Sequence, residues 1–478
     1  MEKLISIYSN GEWIVSSNDS KLEVFNPWNN ETLATLVEPT VYEIDQVIQN
    51  SVETFRAKKL NPDQRFEILS KVAALLKERK TEVAAVISKD NGKPIRDAEI
   101  EVLRAAKAFQ DSAEEAKRIH GYTEELLPPA GADYSLGLTV REPVGVVCAI
   151  TPFNFPLALA AHKIAPAIAA GNTVIFKPSE QTTRTGELLV NLLAEAGLPN
   201  GFLNMLVGTG KNVGDVLLDD ERINFYSFTG SAKVGLHIKN RSGFRRVALE
   251  LGSNAPNIVH HDADLEQAVK TLVKASFAYA GQVCISSQRI YVHSDIALTF
   301  MDRFVQLTKE LQLGDPMLTT TDVGPVINQV QAERIESWIK EAVAEGAKIL
   351  YGGDRNGSII TPTIIVEADS TSKVMCEEIF GPVVNIQVYD DLDELVEKVN
   401  TSKYGLQAGV FTSNIHTAMD LARRCHVGGV NINNASISRA DSMPYGGVKQ
   451  SGIGKEGPRF TIEEMTDVKV ITISTTKA

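Results

Sequence analysis

Two residues of this chain could together carry out chemistry on a carbonyl group. Cys284 lies in a loop of small residues, Tyr279–Ser287, and Glu250 ends the apolar, strand-like run Val247–Leu249. A thiolate is a soft nucleophile, and a carboxylate can deprotonate a thiol or a water molecule. A lone cysteine in an apolar stretch is more often a small buried hydrophobe, so the pair gains meaning only from the rest of the chain.

An amide stands in another rigid loop. Asn154 lies between Pro152 and Pro156, directly after an apolar, strand-like segment. An amide held on such a loop could donate to the negative charge that develops on a carbonyl oxygen. An asparagine beside prolines is also an ordinary turn residue, and the local sequence leaves both interpretations open.

Two strand–loop segments could bind a dinucleotide. Lys177 and Glu180 follow the strand-like run Thr173–Phe176, and Gly230 and Ser231 follow another strand and open a helix. Lys177 could donate to ribose hydroxyls and Glu180 could accept from them, while backbone N–H groups at the helix start could approach a pyrophosphate. The Glu180 carboxylate would repel a 2′-phosphate, which favours NAD over NADP. The plainer interpretations are a surface ion pair and an ordinary helix start.

A turn in the second half of the chain joins carboxylates to an aromatic ring. In the segment Glu377–Pro382, Glu378 could hold ribose hydroxyls and Phe380 could flank a nicotinamide ring; the alternative is a solvated acidic turn. Farther on, Arg439 precedes the glycine-rich segment Pro444–Gly454. This arginine could face an acidic group of a substrate or could be a surface charge.

Composition limits the classes of partner. The 478 residues carry a formal net charge of −12, which disfavours nucleic acid and anionic membranes as main partners. The four cysteines are widely spaced and form no cluster with histidine, so we expect neither a metal site nor a disulfide scaffold. The N-terminal residues contain no long apolar run, and we expect a cytoplasmic enzyme without a signal peptide.

The hydrophobic pattern changes along the chain. Residues 41–120 have helical periodicity, and short apolar strands alternate with helices from residue 144 onward. This alternation predicts a parallel sheet with right-handed crossovers, the layout of a dinucleotide-binding domain, followed by a second α/β segment after residue 250. A terminal apolar strand at Val468–Ile473 has no obvious local partner and invites pairing with another element, such as one on another subunit.

Seven motifs, in this order, resemble those of NAD(P)-dependent aldehyde dehydrogenases over nearly the whole chain. They are PFNFP (152–156), NTVIFKPSE (172–180), FTGSAKVG (228–235), ELG (250–252), GQVC (281–284), EEIFGPV (377–383) and PYGGVKQSGIG (444–454). The pattern at Val283 and Arg439 is similar to that of lactaldehyde and non-phosphorylating glyceraldehyde-phosphate dehydrogenases. One departure is Ser253, where many members have a second glycine.

The resemblance implies a role for each matched residue. Cys284 would be the nucleophile, Asn154 with the Cys284 backbone N–H would hold the oxyanion, and Glu250 would be the general base. The cofactor-binding residues that it implies are Lys177, Glu180, Gly230, Ser231, Glu378 and Phe380. It also implies an α/β fold with three parts: a Rossmann-like NAD-binding domain (1–120 and 142–249), an α/β catalytic domain (250–450) and a small β oligomerisation arm (121–141 and 460–478). A homodimer or homotetramer is therefore expected.

The expected reaction is the NAD-dependent oxidation of an aldehyde to a carboxylic acid. A Cys284 thiohemiacetal would become a thioester, which water activated by Glu250 would hydrolyse. Phe153 and Arg439 are candidate substrate contacts, and Arg439 suggests a small hydroxylated or anionic aldehyde. Two alternatives stay open: a CoA-acylating semialdehyde dehydrogenase, against which Glu250 argues, and a non-catalytic NAD-binding protein on the same fold.

Overall fold

The computed structural model of the protein describes residues 3–126 and 135–474. Its helices are α1 (Val41–Ala57), α2 (Pro62–Glu78), α3 (Lys80–Asn91), α4 (Ile95–Ala116), α5 (Ala158–Ala170), α6 (Thr183–Glu195), α7 (Asp215–Asp219), α8 (Ala232–Arg241), α9 (Leu265–Phe277), α10 (Ser294–Lys309), α11 (Gln329–Ala344), α12 (Lys373–Cys376), α13 (Leu392–Asn400), α14 (Ile415–Arg424) and α15 (Pro458–Glu464). Its strands are β1 (Leu4–Ile5), β2 (Ile7–Ser9), β3 (Glu12–Ile14), β4 (Lys21–Phe25), β5 (Thr32–Val37), β6 (Thr123–Leu126), β7 (Ser135–Pro143), β8 (Val146–Ile150), β9 (Thr173–Lys177), β10 (Leu203–Met205), β11 (Phe225–Thr229), β12 (Arg246–Glu250), β13 (Pro256–Val259), β14 (Arg289–His293), β15 (Lys348–Tyr351), β16 (Arg355–Asn356), β17 (Ile359–Ile360), β18 (Thr363–Val366), β19 (Val383–Tyr389), β20 (Gln407–Phe411), β21 (Gly429–Ile432), β22 (Gly452–Ile453) and β23 (Thr466–Ser474).

Five parallel strands form the centre of the first large sheet. The full order is β22-β12-β11-β8-β9-β10-β2-β3, and the short edge strands β22, β2 and β3 are antiparallel to their neighbours. In chain order the central strands lie 3-2-1-4-5, the doubly wound arrangement with a switch point between β8 and β11. Ligands of such sheets bind outside the carboxyl ends of the strands at that point. The predicted parallel sheet is confirmed.

The second large sheet is also mainly parallel. Its order is β15-β18-β19-β14-β13-β20-β21, with only β15 antiparallel to its neighbour. The segments that precede β13, β14 and β19 contain Ser253, Cys284 and Glu378, respectively. This sheet therefore presents the amino ends of its strands to the predicted site, whereas the first sheet presents carboxyl ends.

A third sheet, with the order β23-β7-β6, joins two distant segments. β23 pairs with β7 along its whole length, from Thr466 opposite Pro143 to Ser474 opposite Ser135. The terminal strand thus has a partner within its own chain, because an antiparallel neighbour more than 300 residues earlier satisfies one of its edges. Residues 127–134 and 475–478 of the predicted arm lie outside the described residues.

Helices form where the periodicity predicts them. Residues 41–116 form α1 to α4, and α2 begins at Pro62 with Asn61 as its cap. Between β10 and β11, a wider π-type turn, Gly210–Gly214, leads into α7. Within residues 3–126 and 135–474, every helix is too short or too polar to be a membrane span.

Candidate active site

Asn154, Glu250 and Cys284 come together where the two large sheets meet. Asn154 Nδ2 donates to the backbone carbonyl of Gln282 (2.9 Å), two residues before Cys284. Cys284 Sγ lies 3.3 Å from the Tyr445 hydroxyl. Gly446, the residue after Tyr445, lies against Glu250, since a Cβ at position 446 would be 2.9 Å from Glu250 Oε1. These contacts bring the three segments together.

The backbone before Cys284 is tightly constrained. Tyr279, Ala280 and Gly281 have φ values of 48°, 52° and 68°. This left-handed region costs about 1–2 kcal/mol for a residue that carries a Cβ. Glycine is required at 281, since a Cβ would lie 2.0 Å from the carbonyl oxygen of Gly381. The close approach fixes the cysteine loop against the turn before β19.

A buried carboxylate anchors the Asn154 loop from behind. Glu101 of α4 accepts from the backbone N–H groups of Leu157 and Ala158 (2.9 and 3.2 Å) at the start of α5. It also pairs with the buried ammonium of Lys93. A carboxylate at a helix start satisfies donors that lack intrahelical partners and complements the helix dipole. The position of the Asn154 loop is therefore set by a helix fifty residues earlier in the chain.

Glu250 is a buried carboxyl group with a free oxygen. It is 6 % exposed, and its Oε2 has no hydrogen-bond partner among the described residues. Burial raises the pKa of Glu250 well above its ordinary value, and the Glu456 carboxylate raises it further. The pKa of Glu456 itself lies well below its usual range, because its ion pairs with Lys163 (3.0 Å) and Arg439 (2.9 Å) outweigh the effect of burial. A base tuned upward in this way can take a proton from water.

Neighbouring groups act in opposite directions on the pKa of the Cys284 thiol. Burial raises its pKa to about 11. The hydrogen bond with Tyr445 and the charge of Arg439 lower that pKa, whereas the carboxylates of Glu378 and Glu250 raise it. Because the thiolate is the nucleophile, the groups that favour ionised sulfur control reactivity.

A cavity of about 160 Å³ adjoins Cys284. Its lining is mainly apolar, with a few polar groups of the kind that orient a ligand. The lining includes Phe155, Leu159, Val283, Ile285 and Ile437 among the apolar residues and Arg104, His162, Arg439 and Tyr445 among the polar ones.

Two guanidinium groups line this cavity, and each is paired with a carboxylate. Arg104 Nη2 donates to Asp441 (2.7 Å), and His162 Nε2 lies 3.2 Å from the same carboxylate. Arg439 Nη2 donates to Glu456 (2.9 Å), whereas Arg439 Nε is buried without a partner in the described part of the chain. A buried donor without a partner costs free energy, so this N–H is a candidate contact for an anionic ligand.

The carboxyl ends of the first sheet carry polar groups. Lys177 ends β9, and its Nζ lies 3.2 Å from Glu180 Oε1 in the following turn. At the switch point, the hydroxyls of Thr151 and Thr229 are buried and have no hydrogen-bond partner among residues 3–126 and 135–474. Free buried donors between β8 and β11 are the feature expected of a dinucleotide site.

The predicted pyrophosphate segment starts a helix. Gly230 follows β11, and its N–H donates to the backbone carbonyl of Glu250 (3.0 Å), which ties this turn to the residue with the buried carboxyl group. Ser231 caps the ten-residue helix α8, its Oγ accepting from the N–H of Val234 (3.4 Å). Free backbone N–H groups at such a start can bind phosphate oxygens.

Glu378 and Phe380 lie on the other side of the cleft. Glu378 Oε1 accepts from the backbone N–H of Ser253 (3.0 Å), and burial raises the pKa of Glu378 to about 7. Because this bond uses the backbone, a serine in place of the second glycine leaves it intact. Phe380 has a φ of 52°, and its ring meets Phe153 edge to face at 5.8 Å.

Comparison with known proteins decides the family. The sequence matches the Aldehyde dehydrogenase family over residues 13–471. The chain belongs to the aldehyde dehydrogenase family. It is 46% identical to a 3-sulfolactaldehyde dehydrogenase of Priestia aryabhattai, with 99% of this chain and 98% of that protein covered.

Two solved structures resemble this aldehyde dehydrogenase. One is a glyceraldehyde-3-phosphate dehydrogenase of Methanocaldococcus jannaschii in complex with NADP, 40% identical at a TM-score of 0.90, covering 95% of this chain and 99% of that chain. The other is an NAD-dependent aldehyde dehydrogenase of Sinorhizobium meliloti, 32% identical at a TM-score of 0.96, covering 100% and 96%. The expected family, the α/β fold and an aldehyde-oxidising enzyme with a nicotinamide cofactor are confirmed, and the non-catalytic alternative is set aside.

The two predicted substrate contacts of this aldehyde dehydrogenase, Arg439 and Phe153, lie in different surroundings. Arg439 lines the cavity beside Cys284. In the described part of the chain, Phe155 lines it and Phe153 does not, since the Phe153 ring packs on Phe380. No group of histidine, cysteine, aspartate and glutamate side chains within residues 3–126 and 135–474 could hold a metal ion.

Several polar residues of the site are missing from the sequence predictions. His162 and Lys163 had a signal, since they interrupt an otherwise apolar helix whose residues are all buried. Tyr445 had a weaker one, as the aromatic residue before a pair of glycines. Arg104 had none, because its partner Asp441 is 337 positions away.

Proposed function

We propose that this aldehyde dehydrogenase oxidises a small hydroxylated aldehyde that carries an acidic group, with NAD as the acceptor. The observation that carries the proposal is the buried, unpartnered Nε of Arg439 on the wall of the cavity beside Cys284. A charged hydrogen bond from this N–H to a sulfonate, phosphate or carboxylate would satisfy both groups. The similarity to a 3-sulfolactaldehyde dehydrogenase makes 3-sulfolactaldehyde the first substrate to test.

The chemistry begins at the sulfur. The Cys284 thiolate adds to the aldehyde carbon, and an Asn154 amide N–H with the Cys284 backbone N–H binds the oxyanion. Donors of this kind lower the barrier by roughly 2.7–4 kcal/mol. Asn154 Nδ2 carries two hydrogens, and the Gln282 carbonyl uses one, so the other is available. Bound NAD would supply the acceptor for the hydride that leaves the carbon, and the acyl group would remain on Cys284 as a thioester.

Glu250 then releases the product. Its free Oε2 accepts a proton from a water molecule, and the resulting hydroxide attacks the thioester carbon. The thiolate of Cys284 leaves as the carboxylic acid forms. A tuned carboxyl group beside the thiol supports hydrolysis over transfer to CoA, and added CoA is therefore expected to leave the turnover rate unchanged.

The cofactor groups fit a dinucleotide at the first sheet. Lys177 and Glu180 would hold the adenosine ribose, the turn at Gly230 and Ser231 the pyrophosphate, and Glu378 the nicotinamide ribose. Related structures include one with NADP and one that is NAD-dependent, and the charge of Glu180 supports NAD here.

The β arm supports an oligomer. β23 exposes Val468, Val470, Ile471 and Ile473 to solvent in the single chain, which favours burial against another subunit in a dimer or tetramer. We retain the domain boundaries given above as part of this proposal. The four cysteines are free, which suits the reducing cytoplasm.

The test of substrate class is an Arg439→Gln variant. Its kcat/KM is compared for 3-sulfolactaldehyde, glyceraldehyde 3-phosphate and uncharged lactaldehyde. We expect the preference for the anionic aldehydes over lactaldehyde to fall by about 10–100-fold, the value of a hydrogen bond to a charged group. Arg245→Gln removes a hydrogen-bonded arginine elsewhere and is expected to keep the ratio. An equal loss for charged and uncharged aldehydes would remove the acidic group from the proposal.

A further inference from the structure

We propose that Tyr445 is a further catalytic residue, whose hydroxyl donates a hydrogen bond to the Cys284 thiolate and thereby sets the reactivity of the nucleophile. The inference rests on the proposed function only in taking Cys284 as the nucleophile. The hydroxyl and Sγ are 3.3 Å apart, and both side chains line the same cavity.

Three sets of contacts hold Tyr445 in place: one at its ring, one at its backbone and one at its hydroxyl. The Arg439 guanidinium carbon lies 3.8 Å from the ring centroid, a cation–π contact. The backbone of Tyr445 exchanges two hydrogen bonds with Glu456 (2.9 and 2.6 Å). Among residues 3–126 and 135–474, the hydroxyl has no hydrogen-bond partner other than Cys284. A fixed ring whose buried hydroxyl has one partner is preorganised for that partner.

The direction of the bond follows from the chemistry of the two groups. A phenol O–H is a good donor, whereas a thiol S–H is a weak donor and a thiolate can only accept. Burial raises the pKa of Tyr445 well above its ordinary value, so the phenol keeps its proton when the thiol has lost its own. A hydrogen bond to an ionised acceptor is roughly twice as strong as one between neutral groups. Tyr445 therefore stabilises the thiolate more than the thiol.

Charged groups near the thiol act on its ionisation in both directions. Glu378, from the turn before β19, and Glu250, at the end of β12, both oppose ionisation of Cys284. Arg439 and Tyr445 act in the other direction. The phenol thus offsets part of the effect of two carboxylates that the proposed reaction needs nearby.

The charges on the far side of Tyr445 are largely paired. Arg439 faces the ring and donates to Glu456, which Lys163 of α5 also holds. His162 of α5 lies 3.4 Å from Arg439 Nη2, and burial keeps the pKa of His162 low. Glu250 also faces the tyrosine and disfavours its ionisation. Removing the hydroxyl would leave these pairs in place.

The direct test is alkylation of Cys284 in a Tyr445→Phe variant. Full-length enzyme without aldehyde or cofactor is treated with iodoacetamide from pH 7 to 10, and the Cys284 peptide is followed by mass spectrometry. We expect alkylation about tenfold slower than in the wild type at pH 7, with a difference that shrinks as the pH approaches the pKa of the thiol. An unchanged rate overturns the proposal, and a faster one shows that the thiol donates to the phenol instead.

Two controls separate this effect from general damage. Tyr389→Phe removes the hydroxyl that contacts His260 (3.0 Å), away from the cavity, and is expected to leave Cys284 alkylation unchanged. Cys376, which is partly exposed, serves as an internal reference in every sample. If Tyr445→Phe fails to fold, 3-fluorotyrosine at 445 replaces it: this more acidic phenol is a stronger donor and must speed alkylation.

The steady-state pH profile gives a second readout. In Tyr445→Phe the acid limb of kcat/KM is expected to move to higher pH, so that the loss shrinks as the pH rises. A purely structural role would lower kcat/KM by the same factor at every pH, which contradicts the proposal. If Cys284→Ala retains turnover, the proposed function fails; if that variant is inactive but Tyr445→Phe is alkylated like the wild type, only the role of Tyr445 fails.

Discussion

The two large sheets meet the active site with opposite ends. Lys177 and Glu250 are the last residues of β9 and β12, so their side chains are placed by regular, hydrogen-bonded strands. Cys284 and Glu378 each lie five residues before β14 and β19, in irregular loops. In the proposed mechanism, the first sheet therefore supplies cofactor contacts and the base from its carboxyl ends, and the second supplies the nucleophile from ahead of its amino ends.

The loops of the second sheet that lie at the site carry a structural cost. The loops before β14 and β19 contain Tyr279, Ala280 and Phe380 with positive φ, and Gly281 where no other residue fits. Such backbone strain persists only where the surroundings enforce it, and it is concentrated at functional sites. The second sheet therefore holds its reactive groups through loop strain and long-range contacts, and the first holds its groups through strand geometry.

Cys284→Ala is expected to separate the roles of the two sheets most clearly, because it should abolish turnover and leave NAD binding unchanged. With no nucleophile, aldehyde-dependent NADH formation is expected to fall by about 10⁴-fold or more. NAD binding, measured by quenching of protein fluorescence, should be unchanged because the cofactor groups belong mainly to the first sheet. Cys376→Ala is the matched control and should retain full turnover. Loss of both binding and turnover in Cys284→Ala would break the division.

In the proposed mechanism Glu250 links the two sheets, since it ends a strand of the first sheet and would activate the water that attacks the thioester on Cys284. Glu250→Gln keeps the shape and removes the base, so the steady-state rate is expected to fall by about 10²-fold or more. Hydride transfer precedes deacylation, so rapid mixing should still show one NADH formed per active site. A steady-state rate equal to that of the wild type would clear Glu250 of the role.

The same division explains what could be predicted from the sequence. Lys177 and Glu250 directly follow apolar runs, so strand periodicity alone places them at the carboxyl ends of strands. The bond between Tyr445 and Cys284 joins positions 161 apart, and nothing in either segment specifies it. Likewise the Phe153 ring turns to Phe380 while Phe155 lines the cavity, a choice made by packing that the motif PFNFP does not encode.

On the second sheet, protonation of Glu378 affects the free energy of unfolding. Burial raises its pKa from the ordinary 4.5 to about 7, so the folded chain holds this proton more tightly than the unfolded chain. Stability from this group is therefore present below pH 4.5 and is lost as the pH rises to 7. Glu378→Gln should be more stable than the wild type at pH 8 by up to about 3 kcal/mol and equal to it near pH 4.5.

The measurement is thermal or urea unfolding of both proteins at the two pH values, without cofactor. Glu377→Gln, which removes the neighbouring carboxylate that pairs with Lys403 on the surface, is the control and should show no such pH-dependent gain. A difference between Glu378→Gln and the wild type that stays constant with pH would mean that folding does not raise the pKa of this carboxyl.

The smallest effect is expected at the carboxyl end of β9. Glu180 is 35% exposed at its side chain, so solvent weakens its repulsion of a 2′-phosphate to about 1 kcal/mol per charge pair. Glu180→Gln keeps a hydrogen-bonding side chain and removes the charge. Its kcat/KM with NADP should rise about fivefold relative to that with NAD. Glu195→Gln, at the far end of α6, should not change the ratio. If Glu180→Gln also leaves the ratio unchanged, cofactor choice does not depend on this carboxylate, and the first sheet selects between NAD and NADP by shape rather than by charge.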